Sequence, residues 1–180
     1  MAHEDITLGP LDSEPNTILI VDDDPITRLV LGEIFKSSHD IQEAEDGREG
    51  LSLVLADPMR YCAILLDFAM EGMDGLEDFY KVAGGIITVN TETAETLGER
   101  DLLARIPVFL ITAETDFDVT RGAYDLGVMD VIGKPIVPYV VERRVESVIE
   151  LYQSRRRLSN TVESQQTQLL EQAKRIISLS

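Results

Sequence analysis

The segment ILIVDDDPITR, residues 18–28, sets four apolar residues, three of them β-branched, directly before three consecutive aspartates. An apolar run of that kind is what a strand buried on both faces shows. Pro25 is suited to the first position of a helix, which makes Asp24 its N-cap. The segment therefore opens a strand–helix unit, and it leaves Asp22 and Asp23 side by side at the strand's end. Adjacent carboxylates repel, so their placement needs a reason.

Working outward, the same alternation repeats. TILIV is the first strand, and ITRLVLGEIFKS is a helix that aligns Ile26, Leu29, Val30 and Ile34 on one face at 3.6-residue spacing. The strand DIQEAE, the turn signal Asp46-Gly47 and the helix REGLSLVLA, brought to an end at Pro58, follow. Next come the apolar strand CAILLD, a helix near GLEDFYKVA, the strand PVFLIT, the helix DVTRGAYDLG, the strand VMDVIG, and a long helix from about Pro138. Five βα units predict a doubly wound α/β fold, a parallel sheet covered by helices on both faces. Residues 1–16 read as a flexible polar tail, 17–152 as the domain, and 153–180 as a helical extension.

Composition narrows the setting. A chain of 180 residues with 44% hydrophobic content can bury a sizeable core. The formal charge of −17 argues against nucleic-acid binding by this segment, since that affinity rests on clustered Lys and Arg. No apolar run approaches the roughly 20 residues of a membrane span, and the first residues lack the basic and apolar regions of a signal peptide, so a cytoplasmic location is expected. The single cysteine, Cys62, lies in an apolar run and reads as a small buried hydrophobe. His3 and His39 read as merely exposed.

In open parallel sheets ligands bind beyond the carboxyl ends of the strands. The first strand ends at Asp22 and Asp23, the third at Asp67, the fourth at Thr112 followed by Ala113, and the fifth runs into Lys134-Pro135. One edge thus gathers carboxylates, a hydroxyl and an ammonium. Helix capping explains Asp24, but it does not explain four strands ending in groups of complementary chemistry.

These residues resemble the receiver domain of two-component response regulators over about residues 17–150. The motifs are the acidic pair in LIVDDD, the segment LLDFAMEGMDG, the threonine-alanine step in LITAE and the lysine-proline in VIGKP, in family order. The resemblance implies a flavodoxin-like five-stranded parallel sheet with five helices. It implies that Asp67 is the phosphoacceptor, that Asp23, Asp67 and the Ala69 carbonyl ligate Mg²⁺, and that Asp22 acts through water. Thr112, the Ala113 N–H and Lys134 would hold phosphoryl oxygens, and a cis bond would precede Pro135. Chemically, a carboxylate ionised at neutral pH attacks phosphorus without a general base, and Mg²⁺ relieves the crowding of charge that the acidic pair creates. Such a domain catalyses its own aspartyl phosphorylation and dephosphorylation. No nucleotide-binding glycine loop is present, so the donor is expected to be a phosphohistidine on a sensor histidine kinase or phosphotransfer protein.

Two other readings compete. LIVDDDPIT also looks like the first motif of haloacid-dehalogenase-type phosphatases, with Asp22 as nucleophile, but no aspartate follows Asp130 to complete that family's metal site. A receiver-like module that is never phosphorylated is the other, and the complete set of signature residues argues against it. Two departures bear on switching: Val131 stands where many receivers carry an aromatic residue, and Glu71 replaces a usual proline. Residues 84–104 look like an insertion, with room for an extra helix.

The extension carries a second pattern. A continuous helix would align Val148, Leu151, Leu158, Val162, Leu169, Ile176 and Leu179 along one heptad seam, interrupted by Arg155, Gln165 and Gln172. No Pro or Gly occurs after Tyr139, so the last helix is expected to continue into a coiled coil that forms a parallel homodimer.

Overall fold

The computed structural model describes residues 14–57, 59–67, 106–113 and 117–179. Strands β1 (Thr17–Val21), β2 (Asp40–Ala44), β3 (Tyr61–Asp67), β4 (Val108–Thr112) and β5 (Asp130–Gly133) form one sheet in the order β2-β1-β3-β4-β5. All four pairings are parallel. This is the flavodoxin-like order, and β1 and β3, whose ends carry the acidic residues, are neighbours at its centre. Helices α1 (Pro25–Phe35), α2 (Gly47–Ala56), α3 (Phe117–Leu126) and α4 (Pro138–Ser178) are the four among the described residues. The helix expected at GLEDFYKVA and the insertion at 84–104 lie outside them.

The strands form where expected because β1, β3 and β4 are buried along their whole length. Alternate residues feed two apolar layers. Leu19, Val21, Ile64, Leu66, Val108 and Leu110 pack with Val54 of α2 and with Val119 and Ala123 of α3. Ile18, Ile20, Leu65, Phe109 and Ile111 pack with Leu31 and Phe35 of α1 and with Val141, Val145 and Ile149 of α4. Gly50 lets α2 approach β1: a Cβ there would meet Val21 Cγ2 at 2.8 Å. Gly127 ends α3 with φ of 100°, a left-handed stop that glycine adopts without steric cost.

Helix α1 presents a different face from the one its first residues suggest. Ile26 and Leu29 are 69% and 62% exposed and Val30 is 37% exposed, whereas Leu31, Gly32, Phe35 and the arginine Arg28 are buried. Of the expected apolar row, Ile34 alone packs against the core.

Helix α4 starts beyond the carboxyl end of β5 and runs back along the sheet, and Tyr152 is its last buried residue. From there to Ser178 it is a single helix whose Leu158, Val162, Leu169 and Ile176 are all more than half exposed. Of the seam foreseen in the sequence, Val148 packs against the core, whereas Leu151 and the residues beyond it are exposed.

The opposite, amino-terminal edge of the sheet is tied to α4 by polar contacts. The His39 ring, 6% exposed, lies edge-on to Phe35, with Nδ1 3.0 Å from Asn16 Oδ1 and Nε2 2.9 Å from Glu146 Oε1. It is thus no bystander on the surface. Arg157 forms a two-pronged ion pair with Glu14 at 2.6 and 2.9 Å. Cys62 is buried as expected, and desolvation pushes its thiol up to about 12, which keeps it protonated.

Candidate functional site

Each functional side chain is positioned by the strand it terminates. Asp22 follows β1, its N–H bonded to the Ala44 carbonyl at 3.2 Å, so the first strand's pairing with β2 extends one residue into the site. Asp24 caps α1: its carboxylate accepts from the Ile26 N–H at 3.0 Å and from the Thr27 hydroxyl at 2.7 Å. These bonds hold the Asp24 carboxyl below the usual aspartate range, the Thr27 hydroxyl contributing most. The run of three aspartates therefore divides, with one residue used as a cap and two left for the edge of the sheet.

Asp67 ends β3 and is 3% exposed; Asp22 is 1% exposed. Carboxylate oxygens of Asp22, Asp23 and Asp67 all lie within 4.8 Å of one another, Asp23 being the most open to solvent. Lys134 reaches across from the loop after β5, its Nζ donating to Asp67 Oδ1 at 3.1 Å and standing 3.5 Å from Asp22 Oδ2. The Lys134 N–H bonds the Thr112 carbonyl at 2.8 Å, which joins the ends of β4 and β5. The peptide between Lys134 and Pro135 is cis, as expected. Thr112 is fully buried at the end of β4 and Ala113 is exposed just beyond it. Val131 is partly buried against the core. Ala69 lies outside the described residues, as do Glu71 and His3.

The electrostatics are unbalanced. Burial raises the Asp22 carboxyl above its ordinary value, opposed by the Asp24 N–H; the neighbouring Asp67 adds to the rise, and Lys134 opposes it. Burial pulls Lys134 down, but its bond to Asp67 and the charges of Asp67 and Asp22 outweigh this, and its ammonium is held above the ordinary lysine value. One ammonium faces three carboxylates. Among the described residues, the buried side-chain nitrogen or oxygen with no hydrogen-bond partner is Asp22 Oδ2. A buried carboxylate oxygen left without a partner is costly. Oxygen donors clustered in this way suit a hard divalent cation such as Mg²⁺, so the residues present fit that ion.

The sequence missed Arg28. Its Nη1 donates to the Asp22 carbonyl at 2.8 Å, and its Nε and Nη2 lie 3.0 and 3.5 Å from Glu43 and Glu45. A cation beside the apolar run Leu29–Leu31 was the available signal.

Comparison with known proteins agrees with this fold. Residues 18–84 match the response regulator receiver domain model. The transcriptional regulatory protein SrrA of Staphylococcus aureus is 32% identical over 149 residues, which cover 82% of this chain and 52% of that protein. The chain thus spans about half the length of the curated relatives it matches. Among solved structures, the CheX–CheY–BeF3–Mg²⁺ complex of Borrelia burgdorferi is 26% identical, with a TM-score of 0.61 over 74% of this chain and 89% of that one. The chemotaxis protein CheY4 of Vibrio cholerae is 20% identical, with a TM-score of 0.58 over 74% and 98%. Its likeness is one of fold.

Proposed function

We propose that this chain, whose residues 18–84 match the response regulator receiver domain model, accepts a phosphoryl group on Asp67 from a phosphohistidine of a sensor histidine kinase or phosphotransfer protein, in a reaction that requires Mg²⁺. The observation that carries this reading is the cluster of Asp22, Asp23 and Asp67 with Lys134 bonded to the acceptor and a buried Asp22 oxygen left without a hydrogen bond. Asp22, Asp23, Asp67 and the Ala69 carbonyl would hold the ion. When bound, Mg²⁺ supplies the positive charge that lets an anionic acceptor meet an anionic donor.

The chain's own groups divide the remaining work. Asp67 attacks phosphorus, Lys134 holds a phosphoryl oxygen as a point charge, and Thr112 and the Ala113 N–H receive others. Loss of the phosphoryl group to water at the same site would reset the switch. The exposed Ile26, Leu29 and Val30, on the turns of α1 next to the acidic pair, offer the donor an apolar surface. With Val131 at the usual aromatic position, switching relies on Thr112 and its adjoining loop. Output passes through α4, whose exposed Leu158, Val162, Leu169 and Ile176 support a homodimer. The acidic charge supports a receiver segment that does not itself contact nucleic acid; among the described residues no helix is long and apolar enough to cross a membrane.

Incubation with acetyl phosphate and Mg²⁺, followed by intact-mass analysis, tests the reaction: one phosphoryl group per chain is expected in the wild type. Sustained turnover of a generic phosphomonoester would instead favour a phosphatase built on Asp22. For the dimer, sedimentation of the full chain beside one ending at Tyr152 should show a dimer and a monomer, and monomers in both would refute it.

A further inference from the structure

We infer that Arg28 is a positioning residue for the metal site: its guanidinium fixes the backbone of Asp22 so that the carboxylate oxygen Oδ2 faces the point where a divalent cation binds. This rests on the receiver reading of the acidic cluster.

Every other hydrogen-bonding group of Asp22 has a partner. Its N–H is held by the Ala44 carbonyl at 3.2 Å, its carbonyl by Arg28 Nη1 at 2.8 Å, and its Oδ1 by the Asp24 N–H at 2.9 Å. The one remaining oxygen is Oδ2, buried, without a hydrogen bond and 3.5 Å from Lys134 Nζ. Of the three anchors, two are made by main-chain groups of the loop and of the neighbouring strand. The third is a side chain that could have been anything, and it is an arginine only 8% exposed. Burying a guanidinium is unfavourable unless its donors are matched. Arg28 matches them with the Asp22 carbonyl on one side and with Glu43 and Glu45, at the end of β2 and just beyond it, on the other. The planar fork therefore bridges the β1–α1 loop to β2, a span a lysine's single ammonium cannot reproduce.

The groups that orient a ligand matter to metal affinity nearly as much as the ligand, and their removal typically weakens binding by about 10- to 100-fold. Calorimetric titration of the full chain with Mg²⁺ tests the inference, comparing wild type with Arg28→Met, Arg28→Lys and Asp23→Ala, each verified as folded by circular dichroism at the titration temperature. Arg28→Met should raise the Mg²⁺ Kd by about tenfold, Arg28→Lys should recover part of the loss, and phosphoryl incorporation at saturating Mg²⁺ should return to near the wild-type rate. A purely structural arginine would lower the melting temperature and leave Kd unmoved, and an unchanged Kd in folded Arg28→Met overturns the proposal. Should Arg28→Met not fold, Arg28→Lys and Glu43→Gln take its place: both should weaken Mg²⁺ binding, and an unchanged Kd in both overturns it. If Asp23→Ala also binds Mg²⁺ as the wild type does, the receiver reading of the cluster fails; if it abolishes binding while Arg28 variants bind normally, the role of Arg28 alone falls.

Discussion

The two edges of the sheet treat charge in opposite ways. At the carboxyl edge three aspartates lie within 4.8 Å of one another, facing one lysine, and a buried oxygen has no hydrogen bond. At the amino edge the ionisable groups come matched: His39 between Asn16 and Glu146, Arg157 with Glu14. The same layers of Ile, Leu and Val support both. The difference teaches that the imbalance at one edge is a local property, created where strands end.

The contrast can be broken most sharply at Asp67. Asp67→Asn should reduce phosphoryl incorporation from one group per chain to none, read by intact mass, with the fold retained; equal incorporation would put the acceptor elsewhere. At the matched edge the converse is expected. His39→Ala removes the partner of Glu146 and Asn16 and should cost about 1–3 kcal/mol in denaturant unfolding, with phosphoryl incorporation unchanged. Loss of incorporation in a folded His39→Ala chain would show that the two edges are coupled.

A smaller effect of the opposite sign is expected at Asp22. Asp22→Asn removes a buried, incompletely paired charge, so the metal-free protein should become more stable, by on the order of 1 kcal/mol, while the stabilisation that millimolar Mg²⁺ gives the wild type disappears. The smallest effect is in the pH dependence of that difference. The folded state holds the Asp22 proton more tightly than the unfolded state, because burial raises its carboxyl above the ordinary 3.8. Its contribution to stability is therefore complete below pH 3.8 and is lost as pH rises through the raised folded value. Without Mg²⁺, the advantage of Asp22→Asn over wild type should grow with pH across that window and then level off. An advantage constant with pH would mean that the carboxyl is not desolvated.

Much of this was legible in the residues. The strands were, because β1, β3 and β4 are buried on both faces and so are uninterrupted in apolar character. The strand-end groups followed, since a parallel sheet collects its carboxyl ends on one side. Helix α1 was harder. Its sequence is apolar on two sides, and periodicity counts both equally; packing selected Leu31 and Phe35, leaving Ile26 and Leu29 in solvent. Arg28 was hidden for a related reason, since a buried arginine is recognisable only once its acceptors, one of them a main-chain carbonyl, are in place. The partners of His39 lie 23 and 107 residues away, a separation that no local pattern reports.

Helix α4 begins beside the loop that carries Lys134 and leaves the domain at the far edge, beyond Tyr152. The 41 residues from Pro138 to Ser178 make it a rod about 60 Å long, of which roughly 40 Å projects past Tyr152. It is therefore a lever pivoted at the domain's base, with its short arm lying against the sheet. A tilt of about 5° at that pivot would sweep the distal tip through about 3.5 Å, a little more than two residues of helical rise.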